Sequence, residues 1–577
     1  MKSDFSSFNE KLFSSKEISG IGSVGTLRLL RGSVARVLNF IARALSYTSV
    51  RSYGCFLLSF GIVSLLLQLG EYYFKSTPDV PLLSIIFCLA ISLLSIPLLL
   101  ISGPACIVLQ DFRLTDRILF DFMAVRRMHR NAEQRSISPL LAVFFGFIPA
   151  GVSYFVPVEQ VFAVIAVGAI VSIAVTSPEF SMMLTILLLP YLPLFPKPEI
   201  LICSLTVITI FSYALKVIVG KRVFSIDTYS IIVFILIAAI LTGAALNRGA
   251  SGGDMLVSVI LLFGYFPISN VIINRRLADT AVNAVILSAI PIAIISIIEF
   301  IVEHPSTSFT APDYSTPGVS AFFSSSAALA AFILVAAIMT LAFAIENRNG
   351  AVGFFYFSVF VLEIAVLGLT MHLGTWIAAI IAALSYTVVR SRRIPLDFLL
   401  VLVIIPHLAY FLPTDIADRV YGYLNIQSGF SDMISECNEA LGIFGDNIWF
   451  GVGCGEINSI SNNFCGIGAE LGVIFLSLFV LAMIIRFRHL SYYRLYSRNS
   501  LVTVSSDMSA VAIVALLACG AFDFIFADVT VLYLFILVFA VSTAALRTAR
   551  HENDDRLGYY GDSSSSDSSA LDISVNR

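Results

Sequence analysis

An all-α bundle of membrane-spanning helices is the fold class this sequence predicts, and three observations predict it. Of 577 residues, 58% are hydrophobic and 13% are charged, whereas a soluble chain is about half apolar and about a quarter charged. The apolar residues are gathered into runs that match a hydrocarbon core, about 20 residues for roughly 30 Å at a rise of about 1.5 Å each. Arginine and lysine concentrate in every second connection between these runs, the distribution that orients helices in a membrane.

The runs number about sixteen and begin near residues 53, 81, 139, 159, 179, 199, 227, 254, 280, 319, 352, 373, 395, 464, 508 and 529. Those between 139 and 196 are the weakest, being short and cut by Pro149, Pro157, Pro178, Pro190 and Pro193. The basic connections carry Arg28 to Arg51, then Arg113 to Arg135, then Lys216 to Arg222, Arg275 and Arg276, Arg348, Arg390 to Arg393, Arg486 and Arg488, and Arg547 and Arg550. Between them only Lys75, Lys197, Arg248 and Arg419 break the alternation. The expectation is a multi-pass protein of the cytoplasmic membrane with both termini cytoplasmic and the long connection 413–463 outside.

Four regions follow. Residues 1–52 form a basic cytoplasmic segment. Within it 27–45 space four arginines among apolar residues, fitting either a helix lying on the anionic inner leaflet or a basic flank that orients the first span. Residues 53–138 make a transmembrane hairpin and a basic loop, 139–547 the main bundle, and 548–577 a polar, Ser-rich tail expected to be disordered. A net charge of −3 offers no basic domain to nucleic acid. The eight cysteines are too scattered for a zinc module, and neither a metal nor a cofactor is expected. Cys437, Cys454 and Cys465 fall in or at the end of the outer loop, and a Cys437–Cys454 bridge is the expected pairing.

The outer loop is the one long connection, and loops of that length inside a compact protein are usually functional. Gly451, Gly453 and Gly455 permit tight turns. Asn462 and Asn463 can hydrogen-bond a polyhydroxylated ligand. Gly451-Val452-Gly453, then Ser461-Asn462, then Ala469-Glu470-Leu471-Gly472 follow one another around the loop's end. Upstream stand Leu369-Thr370-Met371-His372-Leu373-Gly374-Thr375-Trp376 and, earlier, Val319 to Ser326. In order and placement these segments resemble the O-antigen ligase and polymerase superfamily of bacterial envelope glycosyltransferases, over about residues 310–490. The family carries arginine where Leu373 stands, histidine where Ser461 stands, and Asn-Pro-Asn where Ser324-Ser325-Ser326 stand.

The resemblance implies transfer or polymerisation of a glycan from a polyprenyl-pyrophosphate carrier to a glycan or lipid acceptor at the outer face. Such chemistry needs a base for the acceptor hydroxyl and cations for the departing pyrophosphate. The candidates are His372 and Glu470 for catalysis, with Arg419, Arg248, Asn462 and Asn463 for substrate, meeting in one outer pocket; His372→Ala is then expected to abolish transfer. Against them stand plainer readings: His372 as a hydrated turn residue and Glu470 as a cap or bridge between helices. The loop sets seven carboxylates against Arg419 alone, a field that repels a pyrophosphate unless a divalent cation intervenes. Two other function classes remain: a membrane transporter or lipid flippase, to which the intramembrane Glu363 points, and a non-catalytic ligase-like scaffold.

Overall fold

The computed structural model describes residues 16–18, 32–42, 48–74, 82–123, 125, 138–246, 252–273, 275–303, 318–347, 350–370, 372–390, 426–455, 462–496 and 500–562. The fold is all-α. Beside the helices there are only two three-residue strands among the described residues, Lys16–Ile18 and Phe224–Ile226. Fifteen of the sixteen expected spans are helices, and the one near 395 lies outside the described residues. Eleven are long and apolar enough to cross a membrane; those starting near 139, 179, 373 and 508 are shorter apolar helices. The protein is thus built as a multi-pass membrane protein. Leucines, isoleucines and phenylalanines line the outside of its helices, where a bilayer and not water can solvate them.

The helices form two compact units, one of residues 18–184 and 208–224, the other of 1–17, 185–207 and 225–577. The first contains α1 (Gly32–Ala42), α2 (Val50–Phe74), α3 (Leu82–Leu100), α4 (Ala105–Asp111), α5 (Pro139–Val152), α6 (Val158–Thr176), the start of α7 (Pro178–Leu188) and the end of α8 (Pro198–Ile218). The helix α1 falls within 27–45, the segment read either as an interfacial helix or as a basic flank, with Val37 and Phe40 exposed. Small residues set the packing here. A Cβ on Gly146 of α5 would collide with Ser59 Oγ of α2 and lie 2.7 Å from the Phe56 carbonyl, the close backbone approach that glycine and serine permit between membrane helices. That crossing ties α5 to the N-terminal hairpin, so the expected boundary at 138/139 is not where the units divide.

The second unit holds α9 (Thr228–Leu246), α10 (Gly252–Val271), α11 (Arg275–Glu303), α12 (Ser326–Glu346), α13 (Ala351–Leu369), α14 (Leu373–Arg390), α15 (Ile426–Asp446), α16 (Asn463–Tyr496), α17 (Ser500–Cys519) and α18 (Val529–Asp562). Its centre is α12, apolar all round and alanine-rich, which is the pattern of a helix surrounded by others. The side chain of Ser325 caps it by accepting the Ala328 amide at 3.1 Å. Helix α15 lies inside the expected outer loop. Helix α18 continues through Asp562, so residues 548–562, expected to be disordered, are helical. A span that is already nucleated extends by one hydrogen bond per residue without a new nucleation cost.

Candidate functional site

The segment after α15 folds back onto α16, and glycine makes this fold possible. Gly472 has φ 76° and ψ 179°, which interrupts α16 between two and three turns past its beginning and releases the carbonyls just upstream. The loop occupies them. The Val452 amide donates to the Ala469 carbonyl at 3.0 Å, and the Gly453 amide donates to the Glu470 carbonyl at 2.9 Å. In return the Val473 amide donates to the Ile448 carbonyl at 2.8 Å, and the Gly455 amide donates to Glu470 Oε1 at 3.1 Å. The Gly-Val-Gly and Ala-Glu-Leu-Gly segments, eighteen residues apart from Gly451 to Ala469, are therefore one main-chain seam. Gly451 (φ 67°) admits no side chain there: a Cβ would overlap the Glu470 carbonyl and stand 2.6 Å from the Ala469 oxygen.

Beside the seam lies a cavity of about 330 Å³, in the range of small-molecule sites. One end carries three carboxylates from three helices, Glu199 of α8, Asp254 of α10 and Glu470 of α16, together with Cys454 and Gly455. The other end is aromatic: Tyr229, Tyr265 and Phe539, with Phe475, Phe479 and Phe535 along the wall. From Glu470 to Met483 the wall follows α16 for about 20 Å at the helical rise. Behind the aromatic end the fully buried Arg486 places its guanidinium 5.0 Å from the Tyr229 ring centre and 4.9 Å from that of Phe539, a cation–π arrangement. No lysine, arginine or histidine lines the cavity among the described residues.

Three of the segments that carried the resemblance converge on the turn between α17 and α18, residues 520–528. Ser324 Oγ donates to Asp528. His372 Nε2 stands 2.7 Å from Asp523 Oδ2. The Asn462 side-chain amide donates to the Ala521 carbonyl at 2.7 Å, the Asn463 backbone amide donates to Gly520 at 2.7 Å, and Asn463 Oδ1 accepts the Phe526 amide at 3.2 Å. The same turn gives Phe524, Phe526 and Ala527 to the cavity wall.

The expected single pocket is therefore corrected. Glu470 lines the cavity, but His372 does not. His372 Nδ1 accepts the Thr375 amide at 3.2 Å and lies 2.8 Å from Thr375 Oγ1, capping α14, so both ring nitrogens face partners. Asn462 is likewise a cap: its Oδ1 accepts the amides of Phe464 and Cys465 at 2.8 and 3.2 Å. Arg248 and Arg419 lie outside the described residues. Asn462→Ala is expected to lower stability by about 1 to 2 kcal/mol through the lost cap and the lost bond to the Ala521 carbonyl. Thermal denaturation of the purified variant checks this, and an unchanged Tm would contradict it.

Sequence reasoning missed Glu199 and Asp254. Each is an isolated acid at a helix end, and the only signal was a carboxylate beside an apolar run with no basic neighbour in the next turn.

The expected Cys437–Cys454 pairing is also corrected. The cysteines are free thiols, and the near neighbours are Cys437 and Cys465, 2.8 Å apart, because α15 lies against the first turn of α16. Cys454 instead faces the cavity, where burial first and then the carboxylates of Glu470 and Asp254 push its thiol up to about 12, against a smaller opposing effect of Ser258. The thiolate is the reactive form, so raising the pH from neutral towards 9 leaves Cys454 unreactive. N-ethylmaleimide is expected to spare Cys454 until the protein is denatured, and a mild oxidant to join Cys437 to Cys465. Peptide mapping that finds Cys454 in the cross-link would refute both expectations. No protein-family model matches the chain, and no curated protein is similar to it.

Proposed function

We propose that the chain is a glycan ligase or polymerase of the cell envelope, acting at the outer face of the cytoplasmic membrane on a polyprenyl-pyrophosphate-linked glycan, with a glycan or lipid as acceptor. One observation supports this reading: five short segments that resemble the ligase family, drawn from three stretches of the chain (319–326, 369–376 and 451–472), gather around one turn and one seam at the carboxylate end of a lipid-compatible cavity. The alternation of arginines puts Glu199, Asp254 and Glu470 at the outer ends of their helices.

The roles follow from the chemistry. Glu470, held by the Gly455 amide, is the candidate base for the acceptor hydroxyl. The aromatic wall offers flat apolar faces to sugar rings or to an isoprenoid. The pyrophosphate belongs outside this cavity, since three carboxylates repel it; Arg248 and Arg419 are the outer-facing arginines that the sequence offers it. His372 and Asp523 position the turn that bears Phe524 and Phe526.

The test is direct. The full chain, purified and reconstituted in liposomes, is supplied with a synthetic polyprenyl-pyrophosphate oligosaccharide and a hydroxyl-bearing acceptor. Mass spectrometry is expected to find the lengthened or ligated product together with free polyprenyl pyrophosphate. Release of neither, with the donor instead moved between leaflets, would replace this reading by the flippase one.

A further inference from the structure

A carboxylate inside a bilayer is costly and persists only against a positive charge, and Glu363 has none from this chain among the described residues. It sits about two-thirds of the way along α13 with no exposed surface, and neither Oε1 nor Oε2 makes a hydrogen bond among the described residues. Helices α11 and α12 pack against α13. Their titratable groups, Arg275, Arg276, Asp279, Glu299 and Glu303 on α11 and Glu346 on α12, all stand in the first or last two turns. On α13 itself only Tyr356 titrates, and its hydroxyl donates to Asn283 Oδ1 at 2.7 Å.

What does face Glu363 is an oxygen ligand. Thr340 of α12, also fully buried, presents its hydroxyl to the carboxyl group. The hydroxyl is within donating distance of the Ala336 carbonyl, 2.8 Å away, and whichever way its one proton turns, the oxygen keeps lone pairs that can serve a bound cation. Tyr356, Glu363 and Thr370 recur at seven-residue spacing, so they share one face of α13. Thr370 is buried as well. That face is a polar stripe along a helix whose other side chains, Ser358 apart, are apolar.

We propose that Glu363 and Thr340 form a binding site for one monovalent cation, a proton or a sodium ion, between α12 and α13. The cation supplies the missing charge, and the carboxyl and hydroxyl oxygens supply its ligands. The site is independent of the glycan reading and stands or falls separately from it.

The test uses the full chain in liposomes and N,N′-dicyclohexylcarbodiimide, which adds to a protonated carboxyl group in apolar surroundings. Peptide mass spectrometry locates and quantifies the adduct, with Glu363→Gln as the control that removes it. For a sodium site, labelling of Glu363 falls about tenfold when sodium reaches about ten times its half-protecting concentration, with choline as the inert comparison. For a proton site, sodium has no effect, and labelling falls about tenfold per pH unit above its midpoint. Thr340→Val, nearly isosteric, shifts the half-protecting sodium concentration or the pH midpoint; an unchanged value removes Thr340 from the site. Absence of an adduct at Glu363, or labelling indifferent to both sodium and pH, overturns the proposal.

Discussion

Gly472→Ala is expected to dismantle the outer seam. The backbone at φ 76° and ψ 179° belongs to a region that is essentially glycine-only, which alone costs of the order of 1 to 3 kcal/mol for another residue. A Cβ at this position would also collide with the Trp449 carbonyl and sit 2.5 Å from the Phe450 amide nitrogen, both of them main-chain atoms that cannot swing aside. Relief requires α16 to straighten or the loop to lift, and either one breaks the hydrogen bonds of Val452, Gly453 and Val473. A total of about 3 kcal/mol or more follows, read as a lowered Tm and as early protease cleavage between α15 and α16. Gly442→Ala supplies the control: it lies in α15 with nothing within 4 Å of the added carbon, so it should be neutral or gain about 0.5 to 1 kcal/mol. Equal Tm values for the two variants would mean that the break in α16 bears no load.

Glu470→Gln is expected to separate chemistry from architecture. Glutamine keeps an oxygen for the Gly455 amide and the same volume at the cavity wall, but it cannot take up a proton. If Glu470 is the base, transfer falls by about 10² to 10⁴-fold while Tm hardly moves. Full turnover in Glu470→Gln would remove it from the reaction and leave it the structural post of the seam. Glu470→Ala should lose both activity and stability, since it also strands the Gly455 amide.

Much of the fold was legible because membrane spans announce themselves through length and apolar composition, which do not depend on partners. The break at Gly472 was not: Ala469-Glu470-Leu471-Gly472 reads as the opening of a span, and a positive φ at glycine leaves no trace in hydropathy. Nor was the acidic end of the cavity. Glu199, Asp254 and Glu470 come from three helices separated by long stretches of chain, and only packing brings them together. Asn462 looked like a ligand for sugars because its side-chain chemistry suits them. The same donor and acceptor instead satisfy the Phe464 and Cys465 amides and the Ala521 carbonyl, groups that a helix start and a turn leave open. Cys437 was given the wrong partner because sequence distance said nothing of how α15 lies against α16.

The joint between loop and helix is made almost wholly of peptide groups, and peptide groups are the same in every residue. Side chains on both strips can therefore drift without loosening it, provided that the glycines stay. A protein built in this way can trade its charged ligands for others while its scaffold holds still. The shape of such a site would then outlast any particular set of residues that handles the substrate.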